Sequence, residues 1–126
     1  MQKIMIATGA ILGGLAVMIG AFGAHALKDL LEATGRAATF ETGVKYQMYH
    51  AILIILLGVV APKLTGNLIN YSFYAALVGI LLFSGSLYAL CLTNTPKLGI
   101  ITPFGGVAFI VAWACLAIAA MGKWSV

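Results

Sequence analysis

The sequence predicts an all-α integral membrane protein: an antiparallel bundle of four transmembrane helices, with a short interfacial amphipathic helix between spans one and two. Composition is the first observation behind this. Hydrophobic residues make up 63% of the chain and charged residues 8%, where an ordinary soluble domain carries about 25% charged residues. A soluble chain of 126 residues has too little interior to hide so much apolar surface, so most of its surface faces lipid. The second observation is the length of the apolar runs, Ile4–Leu27, Tyr46–Ala61, Leu68–Leu92 and Thr102–Met121, which with an earlier start to the second give spans of about residues 4–27, 40–61, 68–92 and 102–121. A bilayer core about 30 Å thick takes about 20 helical residues to cross. Third, the runs are longer than strands and lack period-two alternation, which argues against a β-barrel. Helices and closed barrels are the only backbones that satisfy their own hydrogen bonds in lipid. Residues 1–126 are expected to form a single membrane domain.

The first span carries no charged residue between Ile4 and Leu27. Lys3 before it and Ala24-His25-Ala26 near its end imitate a secretory signal, but the run exceeds the usual apolar length of about 7–15 residues. The span is therefore expected to remain in the mature chain. Gly9 and Gly13 form a GxxxG pair, and Gly20 and Ala24 continue the small-xxx-small spacing. Such faces let helix backbones approach closely where lipid removes the hydrophobic drive for association. Leu27–Glu32, the start of the long loop, then reads as a short amphipathic surface helix, with a break at Thr34-Gly35 before the second span. The second span is short unless its helix begins near Arg36. Glu41 and Lys45 then pair at i,i+4 in the favoured order.

Pro62-Lys63 stops the second span, and Pro62–Asn67 makes a tight turn into the third. Asn94-Thr95-Pro96 and Gly99 signal the turn into the fourth. Pro103 suits a helix start, and Gly105-Gly106 suggests close packing there. Trp124 and Tyr71 fit the interfacial aromatic belt, and Trp113 in mid-span is expected to pack or face lipid. Cys91 and Cys115 lie in apolar runs without ligand spacing and read as small buried hydrophobes, so no disulfide or metal site is expected.

The net charge of +4 comes from seven Lys/Arg against three acids spread along the chain. That pattern makes no nucleic-acid footprint and implies at most a weak attraction to anionic headgroups. Four spans place Lys3, Lys63 and Lys123 on one side, and Lys28, Arg36, Lys45 and Lys97 on the other. The positive-inside rule has no bias to act on.

Antiparallel geometry sorts the polar residues by depth. His25, Gln47, His50, Ser84, Ser86, Tyr88 and Thr102 fall in one leaflet, on the side of the long loop. Thr8, Asn70, Tyr71, Ser72 and Tyr74 fall in the other, close to the interface. Polar groups are costly in lipid and face protein or water, so His25, Gln47, His50, Ser84, Ser86 and Thr102 are expected to form an intramembrane network or ligand site. In a purely structural network, His25 bonds a hydroxyl or carbonyl and His50 bonds Gln47 or Glu41. The same residues also permit a site for a lipid headgroup or small polar solute, a proton relay through the histidines, or haem held between His25 and His50.

There is no Ser-His-Asp set, no HExxH, no phosphate-cradling glycine loop and no clustered acid pair at membrane depth. The expected function is a non-enzymatic membrane component without a resident cofactor. It would act by helix packing and by contact with the lipid bilayer or another membrane protein, as an accessory subunit or in membrane integrity. An oligomeric transporter or channel for a small solute or proton, and a cofactor-binding protein for haem or quinone, are the alternatives. Glycine-rich faces on so small a bundle predict a homo-oligomer, dimer or trimer.

Four segments carry a resemblance: GAFGAHAL at Gly20–Leu27, ETGVKYQMYHA at Glu41–Ala51, LFSGSLYAL at Leu82–Leu90 and ITPFGGVAFIVAW at Ile101–Trp113. Together and in this order they resemble the small membrane proteins grouped as domain of unknown function 423, which include the animal transmembrane protein 256. The resemblance covers essentially the whole chain. It implies a compact four-helix protein of the bacterial cytoplasmic membrane and no particular reaction. Its recurrent segments coincide with His25, Tyr46, Gln47, His50, Ser84, Ser86 and Thr102.

Overall fold

The computed structural model describes residues 1–125. Helix α1 spans Gln2–Ala24 and α2 spans Lys28–Thr34. Helix α3 runs over Ala37–Val60 and continues through a short 3₁₀ turn to Lys63. Helix α4 (Leu68–Gly79) passes through a π turn (Ile80–Ser84) into α5 (Gly85–Thr93), and the three together make the third span. A 3₁₀ turn at Pro96–Ile100 leads into α6, Thr102–Ala120. The four long helical stretches are each long and apolar enough to cross a membrane. Helix α1, at 23 residues, extends about 35 Å.

Local chemistry explains the ends. Helix α1 stops at Ala24, three residues short of the apolar run, because residues 25–27 turn back with the Leu27 amide on the Phe22 carbonyl at 3.0 Å. Gly35, at φ 69°, ends α2 in the left-handed conformation open to glycine. There the Arg36 amide reaches the Leu31 carbonyl at 2.9 Å, a Schellman closure. Arg36 is the N-cap of α3, so the second span does begin at the early position its length demands. Asn94, at φ 49°, ends α5 in the same way, with the Thr95 amide on the Leu90 carbonyl at 3.2 Å. The two caps touch: Arg36 Nε donates to Asn94 Oδ1 at 3.2 Å. The expected Glu41–Lys45 pair is formed at 3.1 Å on the exposed side of α3.

Helix α3 and the third span form the centre of the bundle, with α1 packed on α3 and α6 packed on the third span. Two apolar clusters result. The larger lies toward the chain termini and joins Met5, Leu53, Ile54, Leu57, Ile69, Phe73, Ala76 and Phe109. The smaller lies at the loop end and joins Leu31, Phe40, Leu90 and Cys91. The tail closes over the termini side, where the Ser125 amide bonds the Lys63 carbonyl at 2.7 Å.

Candidate functional site

Between the two clusters lies a belt of polar side chains on α3, the third span and α6. Gln47 is buried on α3. Its amide donates to the Leu12 carbonyl of α1 at 2.9 Å, and its oxygen accepts the Tyr88 hydroxyl at 2.7 Å. One side chain thus ties the first, second and third spans. Ser84, fully buried at the end of the π turn, donates to the Gly43 carbonyl of α3 at 2.6 Å. A π turn shifts the faces that follow it and leaves a helix free to make such contacts. Ser86 and Thr102 share a hydroxyl–hydroxyl bond of 2.7 Å between α5 and α6, and Ser86 also donates to the Phe83 carbonyl.

His50 is 4% exposed and lies flat on Phe109, with ring centroids 3.5 Å apart. Its Nδ1 lies 2.7 Å from the Tyr46 carbonyl, and its Nε2 lies 3.0 Å from Trp113 Nε1. A carbonyl only accepts and an indole N–H only donates, so this pattern assigns the neutral tautomer protonated at Nδ1. A second proton on Nε2 would confront the indole N–H. The partners are therefore Tyr46 and Trp113 rather than Gln47 or Glu41. Trp113 packs as expected, and it also supplies a hydrogen bond that mid-span position alone does not reveal.

His25 is not part of the belt. It is the exposed C-cap of α1, outside the helix that would have carried it inward. Among the described residues it makes no side-chain hydrogen bond, and it has no ring contact with His50. Both ring nitrogens of His50 are engaged, so the pair does not frame a haem iron. Among the described residues no three His, Cys, Asp or Glu side chains gather where they would hold a metal ion. The belt also falls into separate ties rather than one connected network, because most donors find backbone carbonyls. Ser72, placed near the interface by depth, is fully buried and donates to the Ala112 carbonyl of α6 at 2.7 Å. Among the described residues no buried side-chain nitrogen or oxygen is without a partner.

The small residues also separate. A Cβ on Gly9 would stand 2.7 Å from the Ala51 carbonyl oxygen, and one on Gly105 would run into the Phe83 backbone. At these two places the outer helices touch the backbone of the central ones. Gly20 approaches Val44 at 3.1 Å, while Gly13 and Gly106 have ordinary room for a methyl group and Ala24 is exposed. Gly23, Gly43, Gly58 and Gly79, outside the small-residue stripe of α1 or on other helices, stand at close contacts too.

The profile of a family described as a protein of unknown function (DUF423) matches residues 19–106, which hold the belt residues other than Trp113. The chain belongs to this family. A membrane protein of Bacillus subtilis, YwdK of the group UPF0382, is 43% identical over 95% of this chain and 98% of its own length. A UPF0382 membrane protein of Haemophilus influenzae is 40% identical over 86% of each chain. The UPF0382 inner membrane protein YgdD of Escherichia coli is 34% identical over 95% of this chain and 91% of its own. No solved structure matches the chain. The family is one of membrane proteins, which agrees with four spanning helices and makes the chain a multi-pass membrane protein.

Sequence reasoning missed Ser72 and Trp113. Their partners are a backbone carbonyl and a histidine about 60 positions away. No side-chain pattern marks a carbonyl acceptor, since every residue carries one.

Proposed function

We propose that this protein is a non-enzymatic structural component of the bacterial cytoplasmic membrane. It acts by helix packing and by contact with lipid or with another membrane protein, and it self-associates as a dimer or trimer. The observation that carries this reading is the complete internal use of its polar belt. Gln47, His50, Ser72, Ser84 and Ser86 each spend their hydrogen bonds on holding one span to another or on their own helix. A side chain so committed has little left for a solute, and its contribution is to rigidity. The broad apolar faces of α1 and α6, including Ile11, Met18, Ile110 and Ile118, stay exposed for lipid or a partner. The name of the Escherichia coli relative supports the choice of membrane.

The test is reconstitution of the full chain into sealed vesicles carrying a proton or solute gradient, beside native mass spectrometry of the detergent-released protein. The expected result is leakage equal to that of protein-free vesicles, and a mass of two or three subunits. Flux above protein-free vesicles that Gln47→Leu or Trp113→Phe abolishes would replace the structural role by transport.

A further inference from the structure

A cleft of about 450 Å³ opens at the loop end of the bundle, between the end of α1, helix α2 and the start of α3. Small-ligand sites commonly enclose about 300–1,000 Å³. Its lining is mostly apolar: Phe40 packs against Gly23 and Val44 against Gly20, with Leu31 beside them, and together they form its floor. Its mouth carries Lys28, Glu32 and Glu41. An apolar interior with charges only at the mouth matches an amphiphile lying across the membrane interface. Helix α2, which the sequence reads as interfacial, has Leu31 buried inward and Leu30 exposed.

The charges select the amphiphile. Glu41 is already paired with Lys45 at 3.1 Å. Lys28 and Glu32 stand one turn apart on α2, yet among the described residues the Glu41–Lys45 pair is the one salt bridge formed. Lysine preceding glutamate is the weaker order for an i,i+4 pair on a helix. The mouth therefore offers one free cation and one free carboxylate side by side. A zwitterionic phospholipid headgroup presents the complementary pair, a phosphodiester anion and an ammonium. A primary ammonium adds N–H donors for a carboxylate, which a choline headgroup lacks. An anionic glycerol headgroup would meet Lys28 and leave Glu32 without a cation.

We propose that this cleft is a binding site for one phospholipid with a primary-ammonium headgroup, of the phosphatidylethanolamine class. Lys28 meets its phosphate, Glu32 meets its ammonium, and an acyl chain lies against Leu31, Phe40 and Val44. The inference deepens the contact role proposed above, by naming the lipid and the place.

The experiment reconstitutes the full chain in vesicles of equimolar phosphatidylethanolamine, phosphatidylcholine and phosphatidylglycerol. The lipid retained after mild detergent release is then read by native mass spectrometry. One phosphatidylethanolamine per subunit is expected, favoured about tenfold over the other two, as one charge-assisted hydrogen bond would give. The double variant Lys28→Glu/Glu32→Lys keeps composition and net charge but sets the pair in the favoured order, so that it closes on itself. It is expected to lose the preference. Ala37→Trp, at an exposed position lining the cleft, fills it without touching the charges and is expected to lose the bound lipid. Equal retention of the three lipids by the wild type, or an unchanged preference in the swapped variant, overturns the site. If the swap lowers the melting temperature, Ala37→Trp decides alone, and an unchanged preference there overturns the proposal. Failure of the lipid preference leaves the vesicle-leakage result untouched, so the two readings fail separately.

Discussion

The two outer helices approach the centre of the bundle by the same device and are then held differently. Helix α1 meets the α3 backbone at Gly9, and α6 meets the third span's backbone at Gly105. Beyond that point α6 is tied to its neighbours by Ser72 to the Ala112 carbonyl, by Ser86 with Thr102, and by Trp113 to His50. Helix α1 receives one such tie among the described residues, from Gln47 to the Leu12 carbonyl. Past Leu12 it leans on α3 by apolar contact alone, flanked by the cleft lined by Lys28 and by an apolar groove of about 390 Å³ lined by Leu15, Met18, Phe22 and Tyr88. Close packing works equally on both sides, whereas directional bonds are concentrated on one. The side with fewer bonds carries the two clefts described.

The comparison breaks most visibly at the shared device. Gly9→Ala and Gly105→Ala each push a methyl group into backbone and are expected to cost about 3 kcal/mol. Gly13→Ala and Gly106→Ala, where a methyl fits, should stay within about 0.5 kcal/mol. Unfolding of the detergent-solubilised protein checks all four, and equal costs across the set would erase the distinction between contact and open glycines.

His50→Ala comes next, at about 2–3 kcal/mol. It removes the ring stacked on Phe109 and leaves the Trp113 N–H unpaired. Nitrogen-15 spectra of the wild type should show the Nδ1–H tautomer, and a ring protonated at Nε2 would contradict the indole bond. Gln47→Leu is expected to cost about 2 kcal/mol, since it strands the Tyr88 hydroxyl. It should also speed amide exchange in residues 13–24 of α1 more than anywhere in α6. Uniform exchange would mean that the single tie does not hold α1.

The smallest effects sharpen the contrast. Ser72→Ala should cost about 0.6 kcal/mol, the mean for hydrogen bonds between membrane helices. His25→Ala and Tyr71→Ala, at exposed positions, should shift the thermal midpoint by an amount equivalent to less than about 0.5 kcal/mol.

Much of the bundle was legible in the residues. The length of the apolar runs and their turn signals located every span, and the short second run demanded the start near Arg36 that α3 has. Depth sorting placed Gln47, Ser84, Ser86, Tyr88 and Thr102 in one leaflet, and the structure sets them in one belt of separate ties. The same sorting failed at His25 because it assumes that the helix continues, and at Ser72 because depth carries no information about rotation around the helix axis. His25 stood on an end that the helix never reached, and Ser72 lay on the face turned to α6. Small-residue spacing was a similar half-signal. Gly9 and Gly20 meet α3 closely, but Gly13 on the same stripe has ordinary room, with Ala51 Cβ and Met48 Sδ each 3.8 Å from where its Cβ would stand, a spacing set by the neighbouring side chains and not by the stripe.

The residues by themselves determined the solvent and the secondary structure. A chain this apolar lives in lipid, and lipid leaves a helical backbone as the way to satisfy its amides. The π turn in the third span, the Trp113–His50 bond, the carbonyl acceptors at Leu12, Gly43 and Ala112, and the placing of Lys28 and Glu32 at one cleft came only with the tertiary structure. The bonds between spans and the cleft depend on the relative rotation and spacing of neighbouring helices, set by the packing of the whole bundle at once.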